Sequence, residues 1–387
     1  MKVTKNFDMN HFNKLPEEIL SRVPSEWVLH CKLVCRNWRN IVSNDPSFPL
    51  KHLYHLNHPS SCKLGFLALI DNNRFYFFEY KDDQNHELRK PIERIRRMIT
   101  TPIKGACFVG SCNGLICLAG EKHDIPVCIS NPFTKEYANL PEIRIDGDDF
   151  IYQSIGFGYL TSTNEYNVIA VHVFKTDMIE VHIYTLGSGN GWRNLGKFNS
   201  EFCPMCSLDH ELGSFADGSI YWVNTNLATI LIFDLIEEKF CEHLEPPPFP
   251  LDTDLRNHRI GVLDGFLYIS ILDEGEDGFD IWLLKKKNDN QVKKEGEEHP
   301  SLEWSKEFRV DEKHSLAVTK RGDVLTYLSC DNYLNIYDTK ASTSKGLVDF
   351  KEWVRRVFPH KNTFVSLKRL GEKDTEIMKS VKGGRKP

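Results

Sequence analysis

Six tight-turn dipeptides recur along this chain at a nearly constant interval. They are Asn72-Asn73, Asn113-Gly114, Asn164-Glu165, Asp217-Gly218, Asp264-Gly265 and Arg321-Gly322, and their second residues are 41, 51, 53, 47 and 57 positions apart. Asn-Gly and Asp-Gly favour two-residue hairpins because both central residues need positive φ. Each dipeptide is followed by a short run rich in Val, Ile, Leu, Phe and Tyr: Arg74–Tyr80, Leu115–Ala119, Val168–Phe174, Ser219–Val223, Phe266–Leu272 and Asp323–Leu328. A further run follows in five of the six units: Val127–Ser130, Glu180–Leu186, Ile230–Leu235, Asp280–Leu284 and Tyr333–Asp338.

An interval of about 50 residues is the spacing of propeller blades. Four-stranded antiparallel sheets set radially bury both faces of each sheet and expose few edges. The pattern therefore predicts a mainly β protein whose body, residues 60–370, is a six-bladed β-propeller; a pair of β-sandwiches with irregular hairpins is the alternative. The first unit is poor in a third run, since Lys90–Thr101 is charged and interrupted by proline. The late run Thr363–Leu367 is expected to return and complete it.

Residues 11–50 read differently. Pro16 suits a first helical position, and Glu17 and Glu18 suit the positive end of the helix dipole. Ile19, Leu20 and Val23 form an apolar stripe. Pro24 is expected to stop this helix and Ser25 to cap a second one. Leu29–Leu33 and Val34–Trp38 are i, i+4 pairs on that second helix, Ile41 continues the face, and Asn44-Asp45-Pro46 ends it. So few residues bury too little surface to stand alone. The stripe of Ile19, Val23, Leu33 and Trp38 either caps the β body or docks on another protein's helices.

The segments Leu15-Pro16-Glu17-Glu18-Ile19-Leu20, Ser21-Arg22-Val23-Pro24, Leu33-Val34-Cys35-Arg36-Asn37-Trp38-Arg39 and Asp45-Pro46-Ser47-Phe48 resemble an F-box. Pro16 and Pro24 are eight residues apart, about four fewer than the family usually shows. Four residues rotate a helix by slightly more than one turn, so the flanking apolar faces stay aligned in a shortened helix. The run Gly110–Leu118, with Ser130-Asn131-Pro132-Phe133-Thr134-Lys135-Glu136, Gly156-Phe157-Gly158-Tyr159, Val181-His182-Ile183-Tyr184, Trp192-Arg193, Gly218–Trp222 and Ile281-Trp282, resembles the kelch-like F-box-associated domain of plants. Together these resemblances imply a non-catalytic substrate receptor of a Skp–cullin–F-box ubiquitin ligase. The helical head would bind the Skp-family adaptor, and through it a cullin scaffold, with Leu15, Pro16, Ile19, Leu20, Val23, Pro24, Leu29, Leu33, Val34, Trp38 and Ile41; the propeller loops would hold a target protein. A binding scaffold outside any ligase, its adaptor affinity weakened by the shortened helix, is the second reading. An enzyme with a site in the central channel is a third, and would need carboxylates and histidines converging on the innermost strands.

Composition narrows the partners. With 49 basic and 54 acidic residues the net charge is −5, so no basic excess drives nucleic-acid binding. No apolar run approaches the length of a membrane span, and residues 1–15 contain no apolar core of a secretory signal. Eleven cysteines in a long chain and no Asn-x-Ser/Thr sequon suit a reducing compartment, cytoplasm or nucleus. Phosphate-loop, nucleophile-elbow and zinc-helix motifs are missing, and no cofactor or metal is expected. Cys203-Pro204-Met205-Cys206 with His210 lacks a second ligand pair and reads as loop cysteines. His172 and His182, in adjacent expected strands, read as strand histidines; a metal would need a third ligand. Cys31 and Cys35 read as packing residues on the second helix. Lys285–Lys287, Lys293, Lys294, Glu295, Glu297 and Glu298 read as a solvated insertion. Residues 1–10 are expected to be a flexible N-terminus and 371–387 a disordered polar tail.

Overall fold

A computed structural model describes residues 16–378 apart from 57–62, 71–73, 82–91, 104, 121–125, 146–149, 177, 200–211, 225–228, 242, 249–258, 274–277, 287–301, 312–313 and 329–330. Asn72-Asn73, the Cys203–Cys206 pair, the charged insertion beyond Lys286 and the basic end of the tail lie outside the described residues.

Six antiparallel sheets follow one another around a ring. Blade 2 contains Ala106–Cys112, Leu115–Gly120, Cys128–Asn131 and Glu136–Asn139. Blade 3 contains Phe150–Leu160, Glu165–Phe174, Met178–Thr185 and Trp192–Asn199. Blade 4 contains Ser214–Ala216, Ser219–Asn224, Thr229–Asp234 and Lys239–Phe240. Blade 5 contains Arg259–Leu263, Phe266–Asp273, Gly278–Lys286 and Leu302–Val310. Blade 6 contains His314–Val318, Val324–Tyr327, Tyr333–Asp338 and Thr343–Asp349. The first strand of each of these blades is innermost and abuts the first strand of its neighbour.

Blade 1 breaks the chain order. Lys63–Ile70, Arg74–Lys81 and Ile92–Thr100 are joined by Val354–Pro359, which lies innermost and pairs antiparallel with Lys63–Ile70. Two sequence expectations are corrected here. The third strand of unit one does exist, despite its charges; two register shifts accommodate it against Arg74–Lys81. The closing strand is Val354–Pro359 and not Thr363–Leu367. Val354 and Val357 are buried between blades 1 and 6, whereas Val365 and Leu367 pack into the interface between blades 2 and 3. Thr363–Leu367 thus crosses to blade 2.

The core is six wedges, one between each pair of neighbouring blades. In blade 1, Phe66, Ala68 and Ile70 face blade 6 while Leu67 and Leu69 face blade 2. In blade 3, Val168 and Ala170 face blade 2 while Ile169, Val171 and Val173 face blade 4. Strands buried on both faces read as continuous apolar runs, not as alternation. Gly156 and Gly158 let the innermost strand of blade 3 press on blade 4: a Cβ at either would come within 2.6 Å of Ile220 or of Leu235 and Phe215.

The hairpins follow the expected turn chemistry. Asn113-Gly114, Asp217-Gly218 and Asp264-Gly265 have positive φ at both positions and close two-residue loops. A second device recurs between third and fourth strands. Asn131, Asp234 and Asp338 each accept two backbone N–H bonds from the residues two and three positions on. Lys135, Glu238 and Ser342, four positions on, have positive φ. Such side-chain caps stabilise a turn whose residues would otherwise leave donors unpaired.

The head comprises α1 (helical over residues 16–20), α2 (Ser25–Cys31), α3 (Arg36–Asn44) and α4 (Phe48–Leu56). The single second helix expected from the sequence is two helices. Leu33 and Val34 lie in the turn between them, and Cys35 takes extended backbone at the start of α3, its Sγ accepting from Trp38 N. Cys35 is therefore an exposed cap and not a packed partner of Cys31. Ser25 is not a cap: Pro24 supplies the first carbonyl, to Trp27 N and Val28 N, so α2 begins one residue earlier. Asp45 ends α3 as expected, and α4 extends the head beyond residue 50. Residues 371–378, assigned to the tail on sequence, are placed against blades 2 and 3, with the Glu372 carboxylate accepting from Tyr184 Oη and Gly187 N. Gly371 caps the short helix Leu367–Leu370, and Glu376–Ile377 pairs with Glu136–Asn139 as a fifth strand.

Candidate docking surface

The head divides into a face turned to the ring and a face turned away. Leu20, Val28, Val42 and Phe48 form a small core with Phe364 of the ring. Val23, Cys31, Trp38 and Ile41 lie half-buried against it, together with Phe133 of blade 2. Phe364 meets Phe133 edge-on at 5.2 Å and His52 at 5.3 Å between ring centroids. His52 is fully buried, with Nε2 2.8 Å from Val23 O, and burial holds its pKa below the usual imidazole value. Lys32 Nζ sits 5.6 Å above the Phe364 ring; burial and then the nearby Arg369 charge lower its pKa.

Polar contacts fix the orientation. Ser25 Oγ donates to Asn362 O, Asn362 Nδ2 donates to Glu26 Oε1 at 2.6 Å, and Arg369 Nη1 donates to Asp45 O at 3.2 Å. Ser25, Glu26 and Asn362 are all buried. The segment carrying Asn362 is itself clamped. Asn131 Nδ2 donates to Thr363 O and Val365 O while Asn131 Oδ1 caps its own turn. Thr363 Oγ1 donates to Asn113 O. The Asn-Pro-Phe-Thr motif of blade 2 is thus the socket of the head.

Away from that core the head exposes large apolar side chains. Leu33 is 76% exposed, Val34 65%, Trp27 54% and Ile19 48%. Leu29, Leu50 and Tyr54 are also exposed. Seven large apolar side chains are thus exposed in a head of about 40 residues.

The sequence-selected residues separate accordingly. Ile19, Pro24, Leu29, Leu33 and Val34 are exposed and Pro16 is half-buried. Leu20 is wholly inside the chain's own core, and Val23, Trp38 and Ile41 are partly consumed by it. Leu15 lies outside the described residues. Sequence reasoning missed the exposed Trp27, Leu50 and Tyr54, and Val28 in the buried core. The i, i+4 pairing of Leu29 with Leu33 suggested the buried stripe of α2, but its buried side is Ser25, Glu26 and Val28. The polar pair Ser25-Glu26 hid that side from a search for apolar periodicity.

Other candidates are placed as follows. His172 and His182 lie on neighbouring strands of blade 3 with ring centroids 5.1 Å apart. Among the described residues no group of three or more His, Cys, Asp or Glu side chains is arranged to hold a metal ion. Cys112, Cys117 and Cys128 have thiols pushed up by burial, the direction that makes them poor nucleophiles. No helix among the described residues is long and apolar enough to cross a membrane.

Comparison with known proteins agrees with this geometry. Residues 13–50 match the F-box domain family and residues 65–367 the family described as F-box associated beta propeller domain. F-box protein At3g07870 of Arabidopsis thaliana is 26% identical over 312 residues, covering 70% of this chain and 69% of its own. F-box/kelch-repeat protein At3g23880 of the same plant is 25% identical over 286 residues, covering 70% and 75%.

Proposed function

The chain belongs to the F-box-associated β-propeller family, and we propose from that premise that it is the substrate-recognition subunit of a Skp–cullin–F-box ubiquitin ligase. The observation that carries this reading is the two-sidedness of the head. Its inner face is anchored to blade 2 through Leu20, Val28, Phe48 and Asn362, while Ile19, Trp27, Leu33 and Val34 face solvent, where a Skp-family adaptor would cover them. A rigid socket then contributes proximity and orientation, holding a target on the ring near the ubiquitin-charged enzyme; bond making is assigned to other subunits. The target is a protein held by propeller loops, which vary independently of the strands that support them.

The test is co-purification of the tagged chain under proteasome inhibition. The reading expects adaptor and cullin in the eluate and at least one further protein that accumulates in ubiquitinated form. Recovery of a stable partner with neither adaptor nor cullin would replace it with a binding scaffold acting outside a ligase.

A further inference from the structure

The seat between head and ring contains a histidine whose chemistry adaptor docking does not use. His52 of α4 is fully buried. Between centroids, its ring lies 5.6 Å from that of Phe48 in the same helix and 5.3 Å, edge-on, from that of Phe364 in the segment crossing from the ring. Leu20, Val28 and Val42 complete this small core. The imidazole thus stands where head and ring meet. Separating the two takes Phe364 away from it and admits water.

The protonation of the imidazole follows from its partners. Nε2 is 2.8 Å from Val23 O. A carbonyl oxygen only accepts, so Nε2 carries the hydrogen and Nδ1 the lone pair. Nδ1 is buried and has no hydrogen-bond partner among the described residues. An added proton therefore goes to Nδ1, while the bond to Val23 stays intact. It would create a cation in an apolar core, its new N–H lacking an acceptor, and burying an unpaired charge is costly. A buried polar atom left unpaired calls for a reason; an aliphatic side chain would fill the same core without that cost.

The charged groups around the imidazole do not cancel that cost. Burial is the largest influence and disfavours the protonated form; the Val23 carbonyl and the Glu26 carboxylate of α2 act the other way, and His55 of α4 acts with burial. The net result is a pKa below the usual imidazole value. Glu26 is already engaged by Asn362 Nδ2 at 2.6 Å. Lys32, at the end of α2, brings a cationic side chain to 5.6 Å from the same Phe364 ring, with Arg369 near it. From the crossing segment the side chains that meet the head here are Asn362 and Phe364, both neutral.

We propose that His52 is a proton-operated latch of the head: with Nδ1 unprotonated the head stays seated on Phe364, and uptake of a proton at Nδ1 releases it from the ring. A free imidazole titrates near 6.5. Below that value the released head binds the proton and the seated head does not, so seating is full above pH about 6.5 and weakens as pH falls. The closing strand Val354–Pro359 ends before the seat, so the ring stays closed. The latch lies inside the chain, and the proposal does not depend on adaptor binding.

Hydrogen exchange on the full-length chain tests it at about pH 7.5 and about pH 5.5, on either side of the free imidazole value, with protection corrected for the intrinsic pH dependence of exchange. The expected result is a loss of protection across α2–α4 at the lower pH, up to roughly tenfold because that pH lies about one unit below the free value. The innermost strands of blades 4 and 5 should be unchanged and serve as internal reference. In His52→Gln the side-chain amide still donates to Val23 O but takes up no proton, so protection of α2–α4 should be the same at both pH values. The comparison of the two pH values uses the unaltered chain, so it decides even if the variant fails to fold. Equal protection of α2–α4 at both pH values in the unaltered chain, a loss of the same size in blades 4 and 5, or a loss that persists in folded His52→Gln would overturn the proposal.

Discussion

Asn362 Nδ2 donates to Glu26 Oε1 at 2.6 Å, joining side chains 336 positions apart in the chain. Both are buried, and the Asn362 carbonyl also accepts from Ser25 Oγ. The strand that closes the ring therefore continues into the segment that seats the head. Closure of the propeller and placement of the head are one structural event, because Val354–Pro359 completes blade 1 a few residues before Asn362.

Replacing Asn362 by Ala leaves the Glu26 carboxylate buried without that donor. The expected cost is about 1–3 kcal/mol, confined to the head. Hydrogen exchange should accelerate across α1–α4 and remain unchanged in the innermost strands of blades 3 to 5. Unaltered exchange in the head would show that the apolar contacts of Phe364 suffice to seat it.

Blade 3 holds a pH-sensitive element of stability. Burial first, and then the neighbouring His182, push the pKa of His172 down to about 4. His182 is also lowered by burial, with Glu180 acting against the shift. Glu180 lies opposite His172 in the strand pair and 3.6 Å from His182, with Lys197 3.8 Å beyond. An unfolded histidine titrates near 6.5. Between that value and 4 the unfolded state binds the proton and the folded state does not. Stability is therefore full above pH about 6.5 and is lost as pH falls toward 4, by about 2–3 kcal/mol if His172 alone acts. Urea denaturation at pH 7 and pH 4.5 should show a smaller difference for His172→Leu than for the native chain. Equal differences would remove His172 from the account. His360, also lowered by burial, adds a contribution of the same sign.

Two glycines in equivalent hairpins should respond differently to substitution. Gly114 has φ +84°, and a Cβ there would meet Thr363 Oγ1 at 2.0 Å; Gly265 has φ +89° with nothing within 4 Å. Gly265→Ala carries only the left-handed backbone penalty, about 1–2 kcal/mol. Gly114→Ala adds displacement of the Thr363 segment and so should lower Tm further and loosen the head. Equal Tm shifts would mean that the segment moves aside freely.

The ring was legible because its information is local. Asn113-Gly114, Asp217-Gly218 and Asp264-Gly265 close two-residue hairpins, and the runs that follow them became strands with ends shifted by a few residues at most. The closing strand was not legible. Val354–Pro359 carries Arg355 and Arg356, and its pairing with Lys63–Ile70 depends on ring closure, which no local pattern encodes; Thr363–Leu367 looked more strand-like and went to the interface of blades 2 and 3. In the head, apolar spacing identified the residues concerned but not their sides. A polar contact with Asn362 chose the buried side of α2, and Cys35 broke the second helix.

The most direct test of the docking surface is isothermal titration of a purified Skp-family adaptor into the chain and into its Leu33→Asp and Val34→Asp variants. Both positions are exposed, so Tm should stay within the change expected of surface substitutions, about 0.5 kcal/mol of stability. The account predicts binding by the native chain and a loss of roughly thirtyfold or more in at least one variant, the size of an interface hot spot. Undiminished affinity in both folded variants would contradict it.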